Sequence, residues 1–223
     1  MFFPSFSKSV SIVTALIITS TAYSADLRIV EHWLHTNADT RTLKVDFVQT
    51  RALKTLKKPL IQTGALWLDY GSDQFRWQLG SPVRTIVVSQ SNQIAVMRTP
   101  LKRVEYRENT ESSGSAPGLS GLTRGFPKTM AEFQQRYRIL DIVARGTSYE
   151  IVTQPLGSEG EGISRFGFVI DQQRFLLKGL VISLKDGSMV TTTFQRVERN
   201  LPIGQEVFRP DLSGYQETKF RQG

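Results

Sequence analysis

Apolar residues recur three to four positions apart in the early part of the chain, and beyond residue 42 they recur every second position. Leu27, Val30, Trp33 and Leu34 form one stripe of a helix predicted over residues 27–39, with Asp26 placed to cap it. Leu43, Val45 and Phe47 then alternate with Lys44 and Asp46. Phe75, Trp77 and Leu79 likewise alternate with Gln74, Arg76 and Gln78, the period of strands with one buried face. Further strands are predicted over residues 61–70, 85–89, 93–99, 102–107, 138–144, 148–153, 163–170, 175–184 and 189–197, the last two joined by a tight turn at Asp186-Gly187. A short helix over 128–137, with Met130, Phe133 and Tyr137 on one face, interrupts the series. Before it, residues 111–125 hold four Gly, Pro117 and a cluster of Ser, a surface loop rather than a domain boundary. Ten or eleven sequential strands with short turns predict a mostly β protein, an antiparallel meander curled around one core.

Both faces of one strand are apolar. Leu177 and Val181 fall on one parity, and Leu176, Leu180, Ile182 and Leu184 on the other, so both faces need cover. A small barrel with a filled interior satisfies this, and so does an open curved sheet with helices over its open side.

Composition narrows the setting. Residues 1–24 carry one charge, Lys8, ahead of an apolar run over 10–18 that is too short to span a bilayer, and end in Ala22-Tyr23-Ser24. That is the pattern of a signal peptide cut before Ala25, leaving a single domain over 25–223. The 223 residues include no cysteine, which excludes disulfides, thiolate metal sites, a thiol nucleophile and a lipid-attachment cysteine. A net charge of +8 implies anionic partners, and export argues against nucleic acid as one of them. The cations run together at Arg51, Lys54, Lys57 and Lys58, and again at Arg98, Lys102, Arg103 and Arg107. Such runs suggest steering toward an acidic partner or an anionic leaflet, weaker at high salt.

Catalytic chemistry is sparse. His32 and His35 lie three apart on the first helix with no carboxylate spaced to complete a metal site. Gly118-Leu119-Ser120-Gly121 is one residue short of a nucleophile elbow, and Glu159 and Glu161 sit in a glycine-flanked turn with too few oxygen ligands for calcium. No catalytic residue, metal or cofactor is expected, and the protein is not expected to be an enzyme.

Several segments in order carry a family resemblance: Val45-Asp46-Phe47-Val48-Gln49-Thr50, Gly64-Ala65-Leu66-Trp67-Leu68, Phe75-Arg76-Trp77, Ile86-Val87-Val88-Ser89, Phe166-Gly167-Phe168-Val169-Ile170, Asp186-Gly187 and Val207-Phe208-Arg209-Pro210. Over residues 27–212 the chain resembles the outer-membrane lipoprotein carrier (LolA-like) proteins of the Gram-negative periplasm, or a paralogue among them. The resemblance implies an incomplete, strongly curved antiparallel β-barrel of about eleven strands, with short α-helices as a lid over a hydrophobic cavity. It further implies a monomeric periplasmic carrier that shields the acyl chains of lipoproteins. Such a carrier takes cargo from an inner-membrane ABC transporter and delivers it to an outer-membrane receptor.

By position, Phe75 and Trp77 match the family's cavity-lining aromatics, Phe47 and Trp67 are further lipid-binding candidates, and Leu119 and Leu122 fall where the family places its lid. A wall residue such as Trp77 is expected to matter more for lipid uptake than for folding. The family's Arg-Pro pair, whose arginine holds the lid shut, is replaced here by Asp69-Tyr70-Gly71-Ser72-Asp73-Gln74, so either another group such as Arg76 or Arg124 secures the lid or the lid is regulated differently. This departure keeps two alternatives in view. One is a carrier of another lipid or acylated intermediate, such as a glycolipid or acyl-pigment. The other is a periplasmic lipid-sensing module, against which only eleven residues follow Leu212.

Overall fold

The computed structural model describes residues 26–90, 93–108, 127–157 and 162–218. Helix α1 (Leu27–Asn37) is followed by β1 (Thr42–Ala52), β2 (Leu60–Asp69), β3 (Gln74–Leu79), β4 (Thr85–Gln90), β5 (Gln93–Arg98) and β6 (Arg103–Glu108). Helix α2 (Met130–Arg136) leads into β7 (Tyr137–Arg145), β8 (Ser148–Pro155), β9 (Ile163–Asp171), β10 (Leu177–Leu184) and β11 (Met189–Arg199), and β12 (Gln216–Thr218) closes the series. All twelve strands belong to one open, curved sheet in the order β12-β6-β5-β4-β3-β2-β1-β11-β10-β9-β8-β7.

The expected single meander is in fact two. Strands β1–β6 and β7–β11 are each sequential, and the antiparallel pairing of β1 with β11, from Leu43↔Arg199 to Ala52↔Met189, joins them at the middle. Both of these strands have eleven residues, long enough to carry that seam. The twelfth strand lies outside the expected set. β12 is three residues long and pairs in parallel with β6, and three residues show no period. Tyr137 belongs to β7 rather than to the helix before it. The strand predicted from 175 begins at Leu177, because Phe175 adopts left-handed backbone (φ 51°) in the preceding turn.

Period two decides what faces in. Along β1 the odd residues Leu43, Val45, Phe47 and Gln49 are buried on an inner face, while Lys44, Asp46 and Val48 stand on the outer one. Both helices lie against the inner face, with Val30, Trp33 and Leu34 of α1 and Phe133 of α2 in the main core. Each helix starts on a polar cap: the Asp26 carboxylate accepts from Arg28 N at 3.2 Å, and Thr129 Oγ1 accepts from Glu132 N at 3.2 Å. The Glu132 carboxylate in turn accepts from Lys128 N at 2.8 Å, one residue before the cap, so the first turn of α2 is held from both sides.

The outer face has its own cover. After β11 the chain crosses β1, β2 and β3 as a strap, turns through Gln205–Phe208, and lays Leu212 and Tyr215 on a second core of Ile86, Val88, Ala95, Met97 and Val104. β4 and β5 are therefore buried on both faces, by the main core on one and the strap on the other.

Candidate functional site

The inner face presents two aromatic groups. The first is set by register: Leu66 lies across from both Val45 and Trp77, and Leu68 lies across from both Leu43 and Phe75, so Phe75 and Trp77 share the face of Val45 and Phe47. The Phe47 and Trp77 rings are 4.2 Å apart, and all three aromatics are buried. Phe47 lies directly across from Gly64, whose missing side chain leaves room for the ring. Phe75 is held by its backbone N–H, which donates to the buried Ser89 Oγ at 2.9 Å.

The second group joins the helices to the far half of the sheet. Trp33 of α1 packs edge-on against Phe133 of α2 at 5.9 Å and lies tilted against Phe168 of β9 at 5.2 Å. Phe133 lies 5.5 Å from Phe168, and Tyr137 touches Phe133, Phe166 and Phe168 at 5.2, 5.7 and 5.1 Å. The sequence pattern marks these five aromatics as core positions and does not single them out as part of a site. The signal that finds them is the two-residue spacing of Phe166 and Phe168 on one strand, facing the apolar stripes of both helices.

A latch holds α1 at one end of the sheet. Asn37 Nδ2 donates to Trp33 O at 2.7 Å and to Phe175 O at 2.9 Å, and its Oδ1 accepts from Arg199 at 3.3 Å. The His32 ring stacks on Phe175 at 4.0 Å, which gives this histidine a packing role. The turn carrying Phe175 is organised by Asp171, whose carboxylate accepts from Arg174 N at 2.9 Å and Gln173 N at 3.0 Å. Those two N–H groups hold the Asp171 carboxyl below the usual carboxylate range.

Two expectations change. Trp67 lies directly across from Lys44, so it stands on the outer face, away from Phe47, Phe75 and Trp77. There it lines a groove of about 330 Å³ with Lys44, Glu198 and strap residues Leu201 to Val207, and the Arg76 guanidinium sits 5.8 Å over its ring. Alternation forces this, since Leu66 and Leu68 take the inward positions. Arg76 is outward for the same reason. It donates to Val207 O at 3.1 Å, so it secures the strap and not the helices, and its partial burial lowers its pKa.

The ready-made cavity is also absent from the described residues. Between α1, Pro127, Lys128, Leu43, Leu177 and Phe194 lies an apolar-lined pocket with about 40 Å³ of free space, room for about three water molecules at ~10–15 Å³ each and less than an acyl chain needs. The aromatics Trp33, Phe47, Phe75, Trp77, Phe133, Phe166 and Phe168 are buried in one cluster on this face. Leu119, Leu122 and Arg124 lie outside the described residues, as do Glu159, Glu161 and residues 1–24.

Residues 38–211 match the family described as outer membrane lipoprotein carrier protein LolA. The chain belongs to the LolA family. An outer-membrane lipoprotein carrier protein from Dechloromonas aromatica (strain RCB) is 25% identical over 177 residues, covering 77% of this chain and 79% of that one. Among solved structures, an uncharacterised conserved protein from Thermus thermophilus superposes with a TM-score of 0.54 at 8% identity, covering 86% of this chain and 98% of its own. A LolA superfamily protein from Nitrosomonas europaea matches at 9% identity with a TM-score of 0.45, covering 83% of this chain and 97% of that one.

Proposed function

We propose that this LolA-family protein is a non-enzymatic carrier of acylated cargo, lipoproteins first, and that it shelters acyl chains on the inner face by letting α1 and α2 withdraw. The observation that carries this reading is an inner face built almost wholly of aromatic and aliphatic side chains, roofed by two short helices rather than by a second sheet. In this reading Phe47, Phe75 and Trp77 form one wall of the site.

Magnitudes decide when such a lid opens. Withdrawing Trp33 and Phe133 forfeits roughly 3–5 kcal/mol each, together about 6–10 kcal/mol. Sheltering a chain from water returns about 0.8 kcal/mol per methylene, so a tail of about fifteen methylenes returns about 12 kcal/mol. A tail already in a bilayer returns almost nothing, because hydrocarbon is as apolar as the site. Extraction therefore runs uphill by the cost of the displaced aromatics. That matches a donor which supplies energy, such as an inner-membrane ABC transporter, and a receptor at the outer membrane as the acceptor.

In this reading residues 1–24 direct export to the periplasm and are removed, and residues 25–223 act there as one monomeric domain. The test is incubation with inner-membrane vesicles that hold radiolabelled lipoproteins. The expected result is label released into the soluble fraction in a complex with the protein. No release, with the donor transporter shown to be active, removes the lipoprotein assignment. Mass spectrometry of organic extracts from the same protein then identifies any other acylated cargo.

A further inference from the structure

The hairpin linking β1 and β2 projects from one rim of the sheet. β2 last pairs with β3 at Gly64↔Leu79, whereas β1 and β2 stay paired out to Arg51↔Leu60. The arm is braced on its other side: Ala52 lies across from Met189, and Lys54 N donates to Ser188 Oγ at 3.1 Å, tying residues 53–59 to the turn at 185–188. This braced tip carries Arg51, Lys54, Lys57, Lys58 and Lys185, none in an ion pair among the described residues. Among the described residues of the tip the one carboxylate, Asp186, is engaged by Ser188 N at 2.8 Å and Ser188 Oγ at 3.1 Å.

Apolar side chains crowd the same place. Nine large hydrophobics are exposed among the described residues, and four belong to this tip: Leu56 at 43%, Leu60 at 44%, Ile61 at 67% and Met189 at 44%. A fifth, Leu101 at 63%, sits in the turn between β5 and β6 on the same rim, beside Arg98, Lys102 and Arg103. The opposite ends of these strands carry mixed charge, with Asp39, Asp69, Asp73 and Asp171 among Arg41 and Arg174.

We propose that this rim docks peripherally on an anionic phospholipid surface, with Lys54, Lys57, Lys58 and Arg51 at the headgroups and Leu56, Leu60, Ile61 and Met189 dipping into the interface. Charge complementarity selects an anionic partner, and geometry selects a fluid one. Leu60 and Ile61 are consecutive in a strand and point to opposite flanks of the arm. One protein surface meets one flank, whereas a lipid interface closes around both. Lysine stems lie along apolar surface while their ammonium groups stay at the headgroups, which suits this mixture. The proposal stands on the rim alone and is independent of what the inner face carries.

The test is co-sedimentation of the full chain, without cargo, with vesicles of phosphatidylcholine alone or with one-third phosphatidylglycerol. The expected result is binding to the anionic vesicles only, weakened about fivefold for each cation removed and released near 1 M salt, where the screening length falls to ~3 Å. K54E/K57E/K58E should keep its melting curve, since all three residues are exposed, and lose binding by at least ~100-fold. L56S/I61S should bind more weakly and release at lower salt. Indifference of the wild type to phosphatidylglycerol, or unchanged binding by a folded K54E/K57E/K58E, overturns the proposal. Retention on immobilised polyglutamate with no vesicle binding also overturns it and assigns the rim to an acidic protein.

Discussion

Phe47 is held between two neighbours that leave its ring little freedom. On one side stands Trp77, and on the other Gly64 offers no side chain at all. A Cβ built on Gly64 meets the Phe47 ring and comes within 2.5 Å of the Gln78 carbonyl oxygen. Gly64→Ala is therefore expected to cost about 1–3 kcal/mol in denaturant unfolding, and an unchanged midpoint contradicts this placement. Trp77 is only 5% exposed, so Trp77→Ala is a core truncation expected to cost about 3–5 kcal/mol in denaturant unfolding, and a lipid-probe titration on the same variant measures its effect on uptake separately. Asp171 gives a pH signature. Its carboxyl is depressed from the ordinary 3.8 by the backbone N–H groups of Arg174 and Gln173, so its contribution is complete above that value and fades as pH falls through the lower folded pKa. The loss of Tm in Asp171→Ala should shrink as the pH drops below 3.8. A loss that stays constant with pH contradicts the assignment.

The strap is the element that most changes how the chain is understood. Residues 201–215 carry Pro and Gly and no period, so nothing in their pattern announces that they cover the outer face. Without that cover, Trp67 reads as one more inward aromatic. Alternation in β2 places Trp67 and Leu66 on opposite faces, but period alone does not say which face has the helices. Arg76 is one polar tether of the strap, donating to Val207 O, while Thr42 Oγ1 holds the strap's start by donating to Leu201 O at 2.6 Å. Arg76→Ala removes a charged hydrogen bond worth about 1.5–3 kcal/mol. Amide exchange in residues 201–218 should accelerate while exchange in β1 and β11 stays slow. Equal protection in both proteins refutes the tether.

At the scale of the whole molecule, strands such as β1 and β3 are legible from a clean period of two, β4, β5 and β10 from apolar runs between turns, and both helices from their apolar stripes, while the three-residue β12 carries no pattern. The strand order is not legible. The β1–β11 seam joins residues about 150 positions apart, and local pattern carries no information on such a pairing. The state of the inner face is equally hidden, since a lined cavity and a packed interior call for the same alternation. Trp33 and Phe133 fill that face here, and the carrier role depends on their leaving it. Hydrogen exchange with and without a triacylated lipopeptide tests this most directly. The account predicts saturable binding with loss of protection in Leu27–Asn37 and Met130–Arg136 while β1 and β11 stay protected. Absence of binding, or binding that leaves both helices as protected as before, contradicts it.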